Sequence, residues 1–234
     1  MITVRHSQDR GRANFGWLDS KHTFSFGSYY DADYMGFSAL RVINDDIVQA
    51  GAGFDTHGHR DMEIISYVLE GTIEHKDSEG NVQSLPAGEF QLMSAGKGIY
   101  HSEYNGSATD ELRFLQIWIQ PNEFGKEPGY QQKNFGRSSG IITVATPDGR
   151  DGTLQIKQDA SLHQLILEPG AKYRYEIEQG RNLYIHQVES SLIIGEETLM
   201  SGDGAKIENE SSLLLKNSSS ETAIALIFDL PESV

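Results

Sequence analysis

The chain has 234 residues, 34 acidic against 19 basic, and a formal net charge of −15. It contains no cysteine, which excludes a disulfide framework, a thiolate metal site and a cysteine nucleophile. The acidic excess argues against direct binding of nucleic acid, whose phosphates attract basic surfaces. No apolar run approaches the ~18 residues of a membrane span, and the opening MITVRHSQDRGRANFG lacks the apolar core of a signal peptide, so a cytoplasmic protein is expected.

In chain order, short runs rich in β-branched, aliphatic and aromatic residues recur: FSALRVIND, EIISYVLEG, FQLMS, LRFLQIWIQ, GIITVA, LQIKQDA, HQLILEPG, NLYIHQVES, SLIIG, SLLLK and AIALIFDL. Gly, Asn, Asp or Pro bounds nearly all of them, the pattern of strands separated by tight turns. No segment sustains a helical period over three turns. The reading is all-β, as a sandwich, jelly roll or barrel.

Residues 121–140, PNEFGKEPGYQQKNFGRSSG, carry turn formers and no apolar period and read as a connector. They divide the chain into units 1–135 and 136–234. Six of the eight histidines precede the division. VLEGTIEHKDSEGNVQSLPAGEF in the first unit is echoed by VESSLIIGEETLMSGDGAKI in the second, as expected of two copies of one β-unit.

Two pairs in the first unit carry chemistry. His57 and His59 stand two apart in GAGFDTHGHRDMEI, as do His101 and Glu103 in GIYHSEYN. On strands, such spacing puts both side chains of a pair on one face. If an antiparallel sheet folds one pair onto the other, three imidazoles and a carboxylate form an N/O site for a borderline divalent ion. A catalytic ion with open positions suits this set better than a structural zinc.

These residues resemble the cupin motifs. Gly51, five residues on, leads to His57-Gly58-His59, and the first motif closes at Gly71; Gly80 leads to Pro86-Ala87-Gly88, and His101 precedes Asn105 by four. Glu63 lies one position off the usual first-motif spacing and reads as a solvated strand residue. The segment EFQLMSAGKGIYHSE, with HGHRDMEIISYVLEG and GWLDSKHTFSFGSYYDADYMGFSALRVINDD, is similar to the pirin branch of the cupins. The resemblance implies a bicupin, two face-to-face double-stranded β-helix (jelly-roll) barrels, with a metal in the N-terminal one held by His57, His59, His101 and Glu103. It implies one divalent ion, iron first, with nickel, copper, zinc or manganese as alternatives. The degenerate C-terminal unit, with His163 and His186 far apart in sequence, is expected to hold no metal.

The resemblance further implies a dioxygenase that opens flavonols such as quercetin with release of carbon monoxide. Its partners would be a small aromatic substrate and dioxygen, and Glu103 would be both ligand and general base. The alternative it implies is a metal-bearing regulatory protein that binds other proteins. A monomer is expected. Phe24, Phe26, Tyr29, Tyr30, Phe37 and Phe54 are candidates for an aromatic mouth, and Asp61 for a hydrogen bond that orients a ligand histidine. His22 reads as packed or surface, His75 as solvated beside a turn, and His6 as a residue without a partner. No phosphate loop or nucleophile elbow accompanies Gly51-Ala52-Gly53, Ser20 or Ser102.

Overall fold

The computed structural model describes residues 1–233. The first half runs β1 (Ile2–Arg5), β2 (Gly11–Asn14), β3 (Leu18–His22), β4 (Leu40–Val48), β5 (Gly53–His59), β6 (Glu63–Glu70), β7 (Thr72–Asp77), β8 (Val82–Pro86), β9 (Glu89–Ser94), β10 (Ile99–Asn105), β11 (Leu112–Ile119) and β12 (Gly129–Asn134). The second half runs β13 (Gly140–Thr146), β14 (Leu154–Gln155), β15 (Ser161–Leu167), β16 (Lys172–Glu176), β17 (Arg181–Glu189), β18 (Ser191–Ile194), β19 (Glu197–Met200), β20 (Gly204–Ile207), β21 (Ser212–Lys216) and β22 (Ala223–Pro231). Only two short 3-10 turns interrupt the strands among the described residues.

Each half folds a seven-stranded sheet over a four-stranded one. The first barrel has the orders β12-β9-β6-β11-β4-β3-β2 and β5-β10-β7-β8. The second has β1-β20-β17-β22-β15-β13-β14 and β16-β21-β18-β19. The expected two-barrel, all-β architecture is therefore present. The barrels meet through their large sheets. Leu40, Ile43, Ile65 and Leu115 of the first pack in one buried cluster with Leu162, Ile224, Leu226 and Phe228 of the second. These strands are covered on both faces, which is why they read as nearly continuous apolar runs rather than alternating ones.

Two departures concern the joints. The chain's first strand pairs with β20, so residues 2–5 belong to the second barrel's sheet. The segment expected to be a plain connector contains β12, an edge strand paired with β9. Its sequence, GYQQKN, has no apolar face to betray it, because an edge strand with little burial is held by ladder hydrogen bonds.

Candidate metal centre and cavity

The candidate site lies on the small sheet of the first barrel. β10 is its inner strand, antiparallel to β5 on one side and β7 on the other. The register sets His101 opposite His57 and Ile99 opposite His59. A bulge between His101 and Glu103 then brings Glu103 opposite Phe54 on β5, while on β7 its partner is His75. Gly53 permits this pairing: a Cβ there would lie 2.4 Å from the Glu103 carbonyl oxygen.

Three imidazoles converge. His101 Nε2 is 2.9 Å from His59 Nε2 and 3.0 Å from His57 Nε2. His57 Nδ1 donates to the Asp55 carbonyl at 2.7 Å, which leaves its Nε2 as a lone pair. Burial, with the neighbouring rings of His101 and His57, lowers the His59 pKa to about 4. Burial, with His57 and His75, lowers that of His101 to about 3. Both rings are therefore neutral near pH 7. One proton on His101 can serve only one of the two short contacts. A Lewis-acidic cation would take all three lone pairs, so the donor set fits a metal ion.

Glu103 groups with His75 and His101, whose ligand atoms and its own lie within 4.8 Å of one another. Its carboxylate accepts from Ser66 Oγ at 3.2 Å and Gln116 Nε2 at 3.4 Å. Complete burial raises its pKa, partly offset by His75 and His57. Two overlapping triads thus share His101, one of imidazoles and one containing the carboxylate.

Ser66 and Gln116 belong to a polar row that crosses the large sheet. His22 pairs with Asn44, Asn44 with Gln116, Gln116 with Ser66, and Ser66 with Gln91. All five are buried. An uncharged polar residue within each strand (Asn44, Ser66, Gln91, Gln116) was the available sequence signal.

Several sequence expectations need correction. His75 is not solvated: it is 1% exposed, and its Nε2 pairs with Asp77 Oδ2 at 3.0 Å. The flanking charges point outward, as strand alternation requires, while His75 and Asp77 point in. Glu63 is likewise buried, accepting from Ser94 Oγ at 2.8 Å and the Lys157 amide at 3.2 Å, so it joins the two barrels. Asp61 orients no histidine; it has φ +47° and accepts from the Gly125 amide at 2.6 Å. His6 does have a partner, with Nδ1 3.4 Å from Asp203 Oδ2. The reading of His22 holds: it is packed, edge-on to Phe26.

A cavity of about 510 Å³ opens beside the imidazoles, and His57 and His59 form part of its wall. Of the expected aromatics, Phe26 and Phe54 line it. Phe24 and Phe37 are instead core residues between the barrels, and Tyr30 is exposed. Tyr29 packs against Gly11 and bonds Arg5 and Asp31. Phe15, Trp17 and Trp118, not anticipated, complete the aromatic lining, with Trp118 edge-on to His59 at 5.1 Å between ring centres.

In the second barrel the matching strands are β16 and β21, where Tyr173 faces Leu215 and Tyr175 faces Leu213. Apolar packing of Tyr175, Leu213 and Leu215 fills that interior. His163 bonds Thr143 and Tyr175, and His186 is buried near Arg10 and Asp45.

Two face-to-face barrels with a histidine cluster in one of them define a bicupin. A pirin family profile matches residues 3–119, and a profile described as a quercetinase C-terminal cupin domain matches residues 143–230. The chain belongs to the pirin family. It is 49% identical over 231 residues to a protein of Escherichia coli K12 named quercetin 2,3-dioxygenase, covering 99% of both. It is 40% identical to a pirin-like protein of Caulobacter vibrioides, over 92% of this chain and 94% of that one. The crystal structure of the bacterial pirin YhhW from Escherichia coli in complex with nickel(II) superposes with a TM-score of 0.96, at 48% identity and full coverage of both chains. A quercetin 2,3-dioxygenase structure from Acinetobacter baumannii shares the fold, with a TM-score of 0.76 at 17% identity over 98% of this chain and 86% of that one.

Proposed function

We propose that the protein is a metal-dependent dioxygenase of flavonol-type substrates, with His57, His59, His101 and Glu103 holding one divalent ion in the N-terminal barrel. The observation that carries this reading is the convergence of three Nε2 atoms at 2.9–3.0 Å beside an aromatic-walled cavity. The name of the Escherichia coli relative and the nickel(II) bound by a second structure favour a quercetinase and make nickel as strong a candidate as iron. The domain division at residue 135/136 is part of the same reading: β12 closes the first large sheet and β13 lies in the second.

The ion would supply Lewis acidity, lowering the pKa of a coordinated hydroxyl and holding it near dioxygen. The chain's own groups do the rest. Phe26, Phe54, Trp17 and Trp118 stack a flat ring system and exclude water. Glu103, made more basic than an ordinary carboxylate by burial, takes the proton of the flavonol 3-hydroxyl on a carboxylate oxygen. Ser66 and Gln116 hold that carboxylate in place while its proton count changes.

The test is anaerobic reconstitution with nickel(II), iron(II), copper(II) or manganese(II), followed by quercetin and air. Loss of the flavonol absorption band with one carbon monoxide per substrate is expected with at least one metal. No turnover with any of them overturns the reading.

A further inference from the structure

The cavity has two unlike walls. His57, Phe54 and Asp55 come from β5 of the small sheet. Ser20, His22, Asn44, Asp46 and Gln116 come from β3, β4 and β11 of the large sheet. Asp46 is the anomaly. Its neighbour Asp45 points to the opposite face, where Arg113 grips it with two bonds of 3.0 Å and Arg10 lies 3.5 Å away. Asp46 points into the barrel, is 2% exposed, and forms no ion pair among the described residues. Its Oδ1 accepts the Ser20 hydroxyl, and no side-chain donor among the described residues reaches Oδ2. Beside it, Asn44 Oδ1 is buried without a partner.

A carboxylate buried with a single hydroxyl donor and a buried amide oxygen with none are costly. Both lie on the polar stretch of the large sheet that faces the cavity, next to Ser20, His22 and Gln116. Both are acceptors, so what they lack is donors. A hydroxyl at this wall would supply the missing donor, and where Asp46 is ionised that bond is charge-assisted and an anion is repelled. The aromatic residues between the two walls admit a planar ring.

We infer that Asp46, with Asn44 and Ser20, is a specificity-determining group that selects neutral polyhydroxylated aromatic substrates by accepting hydrogen bonds from hydroxyls remote from the one held at the metal centre. The inference rests on the proposed function for the placing of that first hydroxyl. Binding requires only that the ring system enter the cavity.

Quercetin, with hydroxyls on both outer rings, and 3-hydroxyflavone, which keeps only the hydroxyl destined for the metal, form the probe pair. The chain has two tryptophans, Trp17 and Trp118, and both line the cavity, so quenching of their fluorescence reports occupancy directly. In the nickel-loaded protein, quercetin is expected to bind about tenfold more tightly than 3-hydroxyflavone, the size of one charge-assisted bond. Asp46→Asn, which keeps a neutral acceptor, should shrink that ratio severalfold, and Asp46→Leu should bring it close to one. Melting temperature and nickel stoichiometry report whether each variant is folded; if Asp46→Leu does not fold, the Asp46→Asn ratio decides. An unchanged ratio in the folded variants overturns the inference. Selective binding without oxygen consumption overturns the proposed reaction and leaves this inference standing. Turnover with unaltered selectivity does the reverse, and binding of neither flavonol overturns both.

Discussion

Glu103 on β10 and His75 on β7 occupy directly opposed positions, and both are shut away from solvent, at 2% and 1% exposure. The pair makes the back of the candidate metal centre a continuous polar chain. Asp77 pairs with His75, and Asn81 and the amides of Glu79 and Asn81 donate to Asp77. Burial alone would raise the Asp77 carboxyl, but the donors from His75 and Asn81 hold it below its ordinary range.

Removing His75 should therefore be expensive. His75→Ala takes one donor from a buried carboxylate that keeps those of Glu79 and Asn81, and should cost about 1–3 kcal/mol. His75→Gln, which keeps a side-chain N–H donor within the strand, should recover part of that loss. Urea denaturation of the metal-free proteins measures both values. An alanine variant as stable as wild type would show that the dyad does not support this sheet.

Metal content should follow the two triads unequally. His101 belongs to both, so His101→Ala is expected to abolish stoichiometric nickel binding. Glu103→Gln retains the three imidazoles and should bind nickel at least tenfold more weakly without losing it. Elemental analysis after dialysis, with calorimetric titration of nickel(II), checks both. Full occupancy in His101→Ala would refute the shared-ligand arrangement.

Gly53 offers a backbone test of the same centre. A methyl group there would meet Glu103 O at 2.4 Å and Tyr104 Cα at 2.5 Å, both backbone atoms that cannot swing aside. Gly53→Ala should prise β5 from β10 near the bulge, cost about 1–3 kcal/mol, and weaken nickel binding although no ligand is altered. A variant with wild-type stability and metal affinity would mean that the pair relaxes freely.

Much of this was readable in the sequence, for reasons that differ by element. The strands of the large sheets are buried on two faces, and runs such as EIISYVLEG and AIALIFDL announce themselves. The histidine pairs were legible because a strand period of two fixes which side chains share a face. His75 was hidden by that same alternation: Glu74 and Lys76 flank it in sequence but point the other way. Asp46 and Trp118 could not be placed in one cavity from spacing, because the fold brings β4, β5 and β11 together only through long-range pairing. β12 lacked an apolar face altogether, and β1 pairs with a strand some 200 residues away.

Asp46 should also leave a pH signature. Burial, with smaller contributions from the charges of Asp45 and Glu103, raises its pKa from 3.8 to about 7. Between those values the folded chain keeps a proton that the unfolded chain releases. The folded state then binds more protons, so this group's contribution to stability falls as pH rises from about 4 to about 7. Below that window the carboxyl is neutral in both states; above it the full penalty, at most about 4 kcal/mol, is in force. The low pKa values of His59, His101 and His186 act in the opposite sense, since neutral buried imidazoles lose stability as pH falls below 6.5. Those histidines are common to wild type and Asp46→Asn and largely cancel in the difference. The metal-free variant should thus match wild type near pH 4 and exceed it by a few kcal/mol at pH 8 in urea denaturation. Stability curves that run parallel across this range would show that Asp46 ionises as freely in the fold as in the unfolded chain.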